Sequence, residues 1–121
     1  MSVHEDAERD SRLAEGIADR VADTMFALST PSRVQILACL LRGPHSVSDL
    51  TERLGMEQSA VSHQLRVLRE HRLVTAERNG RARVYSLYDV DVIVLLESAF
   101  RHVERREQGS QGLARHLRRA R

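Results

Sequence analysis

The stretch Glu57-Gln58-Ser59-Ala60-Val61-Ser62-His63-Gln64-Leu65-Arg66-Val67-Leu68-Arg69 decides how this chain is read. At about 100° per residue it makes a helix with two unlike faces. Val61, Leu65 and Leu68 fall on one side. Ser59, Ser62, His63 and Arg66 fall on the other, flanked by Gln58 and Arg69, and no carboxylate follows until Glu70. A helix that enters a major groove needs small polar donors near its N-terminus and positive charge further along. The pattern predicts a nucleic-acid-reading helix over 57–71.

The next segment agrees with that reading. Leu73-Val74-Thr75-Ala76-Glu77-Arg78 and Arg81-Ala82-Arg83-Val84-Tyr85-Ser86-Leu87 are β-type runs separated by Asn79-Gly80. Asn-Gly between two such runs predicts a hairpin. Arg78, Arg81 and Arg83 crowd its tip, where guanidinium groups can meet phosphates or enter a minor groove. A polar-faced helix followed by an Arg-tipped hairpin is a helix-turn-helix with a wing.

The flanking segments supply the rest of a small domain. Leu13, Ile17, Val21, Met25 and Leu28 recur at helical spacing and predict a first helix over 9–28. Pro31 suits the first turn of a second, strongly apolar helix that carries Val34, Ile36, Leu37, Leu40 and Leu41 and stops at Gly43-Pro44. Ser46-Val47-Ser48-Asp49 has capping-box spacing and starts a short helix ending at Gly55. Asp89 is a good N-cap for a last helix over 90–107, with Val92, Leu96, Ala99 and Val103 on one side. Gln108-Gly109-Ser110-Gln111-Gly112 reads as a breaker. The expected architecture is mainly α with a small β-hairpin, in the order ααααββα. It comprises a flexible N-terminal arm (1–8), one winged-helix DNA-binding and dimerisation domain (9–107) and a basic C-terminal tail (108–121). The first and last helices are more apolar than a small domain needs, which predicts a homodimer built on them.

Composition fits this picture. Of 121 residues, 41% are apolar, there is no Trp, and the single cysteine, Cys39, excludes a disulfide framework. No apolar run approaches the roughly 20 residues of a membrane span, and the acidic N-terminus lacks a signal-peptide core, so the expected location is cytoplasmic. Net charge is only +2 but unevenly placed. Residues 1–24 carry seven acids against three Arg, residues 31–88 nine Arg against five acids, and residues 101–121 seven Arg against two acids. The positive middle block is the one expected to meet a polyanion. Cys39, among Ile36, Leu37 and Leu40, reads as a small core residue, and His45, His71 and His116 as surface residues. There is no nucleophile–base constellation and no Gly-rich phosphate loop, so an enzyme is not expected.

Thr30-Pro31-Ser32-Arg33, the run from Met56 to Arg69, and Gly80-Arg81-Ala82-Arg83-Val84-Tyr85-Ser86-Leu87 together resemble the ArsR/SmtB family of bacterial winged-helix repressors. Within it the chain is most similar to the actinobacterial nickel/cobalt sensors. The resemblance spans about residues 15–107. It implies a homodimer that binds double-stranded operator DNA when metal-free and leaves it when metal binds.

The resemblance also implies where a metal would sit. The Cys-x-Cys pattern of one subgroup is absent: the corresponding segment is His45-Ser46-Val47-Ser48-Asp49. Another subgroup carries Asp-x-His, ten residues, then His-x-x-Glu/His on the last helix. Here that pattern reads Asp89-Val90-Asp91, ten residues, then His102-Val103-Glu104-Arg105. Asp91 replaces one His, and Arg105 replaces the last ligand. Asp89, Asp91 and His102 are the candidate ligands, with Glu104 as a replacement and His4 as a donor from the arm. If Met1 is removed, Ser2-Val3-His4 could itself chelate nickel(II) in a square plane. A carboxylate and imidazole set without thiolate suits nickel, with cobalt or zinc as alternatives. Asp91 and His102 lie about 16 Å apart along one helix, so a single ion needs an antiparallel partner helix to join them. Two other readings compete: the same DNA-binding fold acting as an activator or under control of a partner protein, redox state or another ligand, and a winged-helix scaffold used only for protein association.

Overall fold

The computed structural model describes residues 5–7 and 15–119, with side chains as far as residue 109. Helices α1 (Ile17–Ala27) and α2 (Pro31–Leu40) are followed by a short strand β1 (His45–Ser46) and helix α3 (Val47–Leu54). The reading helix α4 (Gln58–Glu70), strands β2 (Val74–Asn79) and β3 (Ala82–Leu87), and a long helix α5 (Val90–Arg119) complete the chain. The strands form one antiparallel sheet in the order β1-β3-β2.

Packing follows the apolar stripes. Ile36, Leu37, Leu50, Val61, Leu65 and Leu68 are wholly buried, and Leu73, Val74, Val92 and Leu96 join them. The apolar side of α4 is thus spent on the core, which leaves its polar side outward. Among the described residues no helix is long and apolar enough to cross a membrane.

Local signals explain most boundaries. The Thr30 side chain accepts from the Arg33 N–H, with Pro31 in the first turn of α2. Ser46 and Asp49 form the expected capping box, each backbone N–H donating to the other's side chain at 3.1 Å. The Ser46 backbone N–H, and after it the Ser46 hydroxyl, hold the Asp49 carboxyl below its ordinary pKa. A carboxyl depressed in this way contributes stability above its unfolded pKa and loses it as pH falls through the folded value. The α3 cap therefore opens on the acid side. Asp89 caps α5, its Oδ1 accepting from the Val92 N–H at 3.0 Å.

Five features differ from the sequence reading. Helix α1 starts at Ile17 rather than near residue 9, with Gly16 at its N-cap in a left-handed φ of 75°; residues 5–7 of the expected flexible arm are helical, and residues 9–14 lie outside the described residues. Residue Leu13 lies outside the described residues. The breaker at 108–112 does not break: α5 runs through it to Arg119. Glycine costs a helix about 1 kcal/mol, which lowers stability without ending it, and no Pro is present there. Strand β1 was not expected; it pairs His45 with Tyr85, which makes His45 a buried residue rather than a surface one. His45 Nδ1 donates to the Gly43 carbonyl at 2.7 Å, so its burial is satisfied. In the hairpin, Asn79 pairs with Ala82, so the central residues are Gly80-Arg81 and not Asn79-Gly80. Only the first of these has positive φ, as in a type II′ turn.

Finally, α4 ends without glycine. Arg72 takes φ 55°, the Leu73 N–H donates to the Leu68 carbonyl and the Arg72 N–H to the Arg69 carbonyl. This is a Schellman motif with arginine where glycine is usual, closed by the buried pair Leu68 and Leu73. Arg72→Gly should raise stability by about 0.5–1 kcal/mol, because the left-handed conformation carries a penalty for any Cβ. Urea unfolding checks this, and a loss of stability would show that the arginine side chain itself holds the turn.

Candidate nucleic-acid interface

Helix α4 carries the interface, and its exposed arc matches the expected one. Gln58, Ser59, Ser62, His63, Arg66 and Arg69 are all exposed; Ser59, His63 and Arg66 face away from the stripe of Val61, Leu65 and Leu68, and Gln58, Ser62 and Arg69 flank it. The wing supplies Arg78, Arg81 and Arg83, also exposed. Arg78 and Arg83 face each other directly across the β2–β3 ladder. Like charges in that relation repel. Among the described residues none of Arg66, Arg69, Arg78, Arg81 and Arg83 is paired with a carboxylate. Five unneutralised guanidiniums on adjoining elements form a surface suited to an anionic polymer.

What fixes that surface in place was not foreseen. Arg33 is nine-tenths buried. Its Nε donates to the Ala27 carbonyl and its Nη2 to the Phe26 carbonyl at 3.4 Å, both at the C-terminal end of α1. Its Nη1 donates to Gln64 Oε1 on α4 at 3.0 Å. A cation at a helix C-terminus is favourably placed. One side chain thus ties α1, α2 and the reading helix together. The signal was available: Arg33, Ile36, Leu37 and Leu40 fall at i, i+3, i+4 and i+7, so the arginine sits on the buried stripe of α2. Gln64 is the other residue the sequence reading passed over.

The candidate metal ligands are less gathered. Asp91 and His102 are exposed and share one face of α5, separated by about 16 Å along its axis. Asp89 is engaged as the N-cap. Glu104 points elsewhere, about 200° round the helix from His102. It lines a cleft between α2 and α5 with Leu41, Arg42, Phe100 and Arg101. His4 lies outside the described residues, as does the His116 side chain. Among the described residues no group of three His, Cys, Asp or Glu is close enough to hold an ion. Cys39 is half-buried and packs against the core, and its thiol is free.

The first and last helices leave apolar surface open. On α1, Val21, Met25 and Phe26 are exposed, the last at 73%. On α5, Val90, Val94 and Val103 are exposed, and every residue from 101 to 109 is exposed as the helix leaves the domain.

Comparison with known proteins places the chain. The family model described as bacterial regulatory protein, arsR family, matches residues 30–76. The HTH-type transcriptional regulator NmtR of Mycobacterium tuberculosis (strain ATCC 25618 / H37Rv) is 59% identical over 87 residues, 72% of each chain. The chain belongs to the arsR family of bacterial regulatory proteins. The arsR-family match covers the second helix, the helix-turn-helix and the first three residues of the first wing strand. The solution structure of apo-NmtR superposes with a TM-score of 0.66 and 56% identity, over 75% of this chain and 76% of that one. A homodimeric winged helix-turn-helix DNA-binding domain, Mb0332 from Mycobacterium bovis, gives 0.75 at 28% identity over 81% and 90%. The chain is therefore a DNA-binding transcriptional regulator with a winged helix-turn-helix, and not an enzyme.

Replacing Arg33 with Met keeps most of the volume and removes the charged donor from two carbonyls and from Gln64. The loss should be about 2 kcal/mol of stability by chemical denaturation. DNA affinity should fall as well, because α4 loses its tie to α1. A variant as stable as the parent would show that the guanidinium is not what holds these helices.

Proposed function

We propose that this arsR-family chain is a homodimeric repressor that binds an operator in the metal-free state and releases it when nickel, or alternatively cobalt or zinc, binds. The observation that carries the DNA half is the outward arc of Ser59, Ser62, His63 and Arg66 beside a wing of three unpaired arginines. Two such surfaces related by a two-fold axis suit an operator with half-sites one helical turn apart. The open apolar residues of α1 and α5 are the material for that pairing.

The metal half rests on Asp91 and His102. Both are exposed on one face of α5, and their chemistry suits a borderline divalent ion. An antiparallel partner helix would set the Asp91 end of one chain beside the His102 end of the other, giving two symmetric sites. The remaining donors must come from elsewhere, since Arg105 follows His102 on that same face and Glu104 faces the α2–α5 cleft. The N-terminal His4 is the donor this reading assigns. Resemblance to nickel/cobalt sensors supports the choice of ion.

The same Arg105 motivates a second reading, in which the regulator binds DNA without metal control or acts as an activator under another signal. Calorimetric titration with nickel, zinc and cobalt separates the two. The first reading expects binding tighter than micromolar, a loss of at least about tenfold in His102→Ala, and weaker DNA binding in the presence of the ion. Linkage requires DNA to weaken metal binding by that same factor. Deletion of residues 1–6 should lower nickel affinity if His4 is a ligand. Binding no stronger than micromolar for all three ions would favour the second reading.

A further inference from the structure

Between the reading helix and the wing lies a cleft of about 350 Å³ that the exposed arc of α4 does not by itself explain. It is lined by Val47, Ser62, Arg66, Arg69, Arg83 and Tyr85. Three arginines, a serine and a tyrosine share this lining, with no carboxylate among them. Ser62, Arg66 and Arg69 come from one stripe of α4, since positions i, i+4 and i+7 lie within about 60° of one another. Arg83 and Tyr85 come from one face of β3, two residues apart. Val47, the first residue of α3, closes the remaining side.

Tyr85 is the independent observation. It is only 8% exposed, and its ring belongs to the core. Its hydroxyl has no hydrogen-bond partner among the described residues, yet it is not sealed away from solvent. A tyrosine hydroxyl usually finds a partner when buried. Phenylalanine would fill the same space, so packing alone does not call for the oxygen. The open donor and the three arginines share one small volume.

Resting on the DNA-binding reading above, we infer that this cleft seats one phosphate of the DNA backbone, with the Tyr85 hydroxyl as a donor to it alongside Arg66, Arg69, Arg83 and Ser62. When α4 enters a major groove, the strand bordering the groove runs between the helix and the wing, where the cleft opens. A phosphate held from both elements fixes the register of the helix against the bases without reading sequence. The oxyanion neutralises the convergence of like charge that the free protein carries.

The experiment uses the full chain, a duplex selected by the wild-type protein from a random pool, and a scrambled duplex of equal length. Tyr85→Phe should melt at the wild-type temperature and bind both duplexes roughly tenfold more weakly, as expected for one hydrogen bond to a charged acceptor. Its salt dependence should be unchanged, because no charge is lost. Arg69→Gln should weaken both duplexes and reduce the slope of log affinity against log salt by about 1. Methylphosphonate substituted at single positions should identify one phosphate whose neutralisation weakens the wild type but adds little to the loss in Tyr85→Phe. Wild-type affinity in Tyr85→Phe for both duplexes would overturn the assignment. So would inorganic phosphate that perturbs the Tyr85 resonances at matched ionic strength while Tyr85→Phe binds DNA normally, since the seat would then serve a free anion. Failure of the wild-type protein to bind any duplex would instead sink the DNA-binding reading beneath it.

Discussion

The reading helix is immobilised from behind, and the rest of the molecule follows from that constraint. Val61, Leu65 and Leu68 have no exposed surface, and Gln64 between them is held by the Arg33 guanidinium. A helix anchored on its whole apolar side cannot roll, so the direction of Ser59, Ser62, His63 and Arg66 is set by the core. The entropy of ordering those side chains is separate, but the backbone that carries them is already placed. Burying an arginine is costly unless its donors are satisfied. Here they are, by carbonyls at the negative end of α1 and by one amide oxygen. The cation is compensated by partial charges rather than by a carboxylate, which keeps this region free of acid close to the DNA-facing side.

Electrostatics then divide the molecule. α1 carries Asp19 and Asp23, α3 carries Asp49 and Glu52, and α5 carries Asp91, Glu97, Glu104 and Glu107, while α4 and the wing expose arginines without carboxylate partners among the described residues. Placing Arg78 opposite Arg83 on the ladder works against hairpin stability. Folding alone gives no reason for that pair, whereas a polyanion does. The Tyr85 hydroxyl, open to solvent and without a partner among the described residues, is likewise available to a bound partner.

Much of this was legible in the sequence because the informative signals were local. The two-faced pattern of residues 57–69, the Ser46–Asp49 box, the Asp89 cap and the hairpin each depend on residues within a few positions, and each appears in the structure. What escaped was non-local or chemically atypical. Strand β1 is two residues long and exists only because β3 is there to pair with it, so no periodicity announces it and His45 looked like a surface residue. The helix stop at Arg72 is written in tertiary packing, in the burial of Leu68 and Leu73, rather than in a glycine. Arg33 was visible as a motif residue but not as a tie, since its partners lie 6, 7 and 31 residues away. The metal ligands divide along the same line. The shared face of Asp91 and His102 follows from helical spacing, but the opposite orientation of Glu104 follows equally and weakens it as a substitute ligand.

The way α4 is held limits how any signal can reach it. With its apolar face sealed, the reading helix shares one core with α2, and Gln64 is bonded through Arg33 to the end of α1. Cores resist small continuous deformation, and interfaces are where discrete rearrangements occur. A ligand on α5 therefore has little purchase on α4 within a chain. It can act on the disposition of two protomers, because Phe26, Val90 and Val94 leave the contact surfaces of α1 and α5 outside the core. The quantity under control is then the spacing and angle between paired reading helices. A two-fold operator is sensitive to that quantity, since both half-sites must be met at once. An ion that joined Asp91 of one chain to His102 of the other, as proposed, would lie on the element that sets it. The conformation of each protomer would then change little on binding the proposed ion, and the regulatory free energy would reside in the relation between protomers.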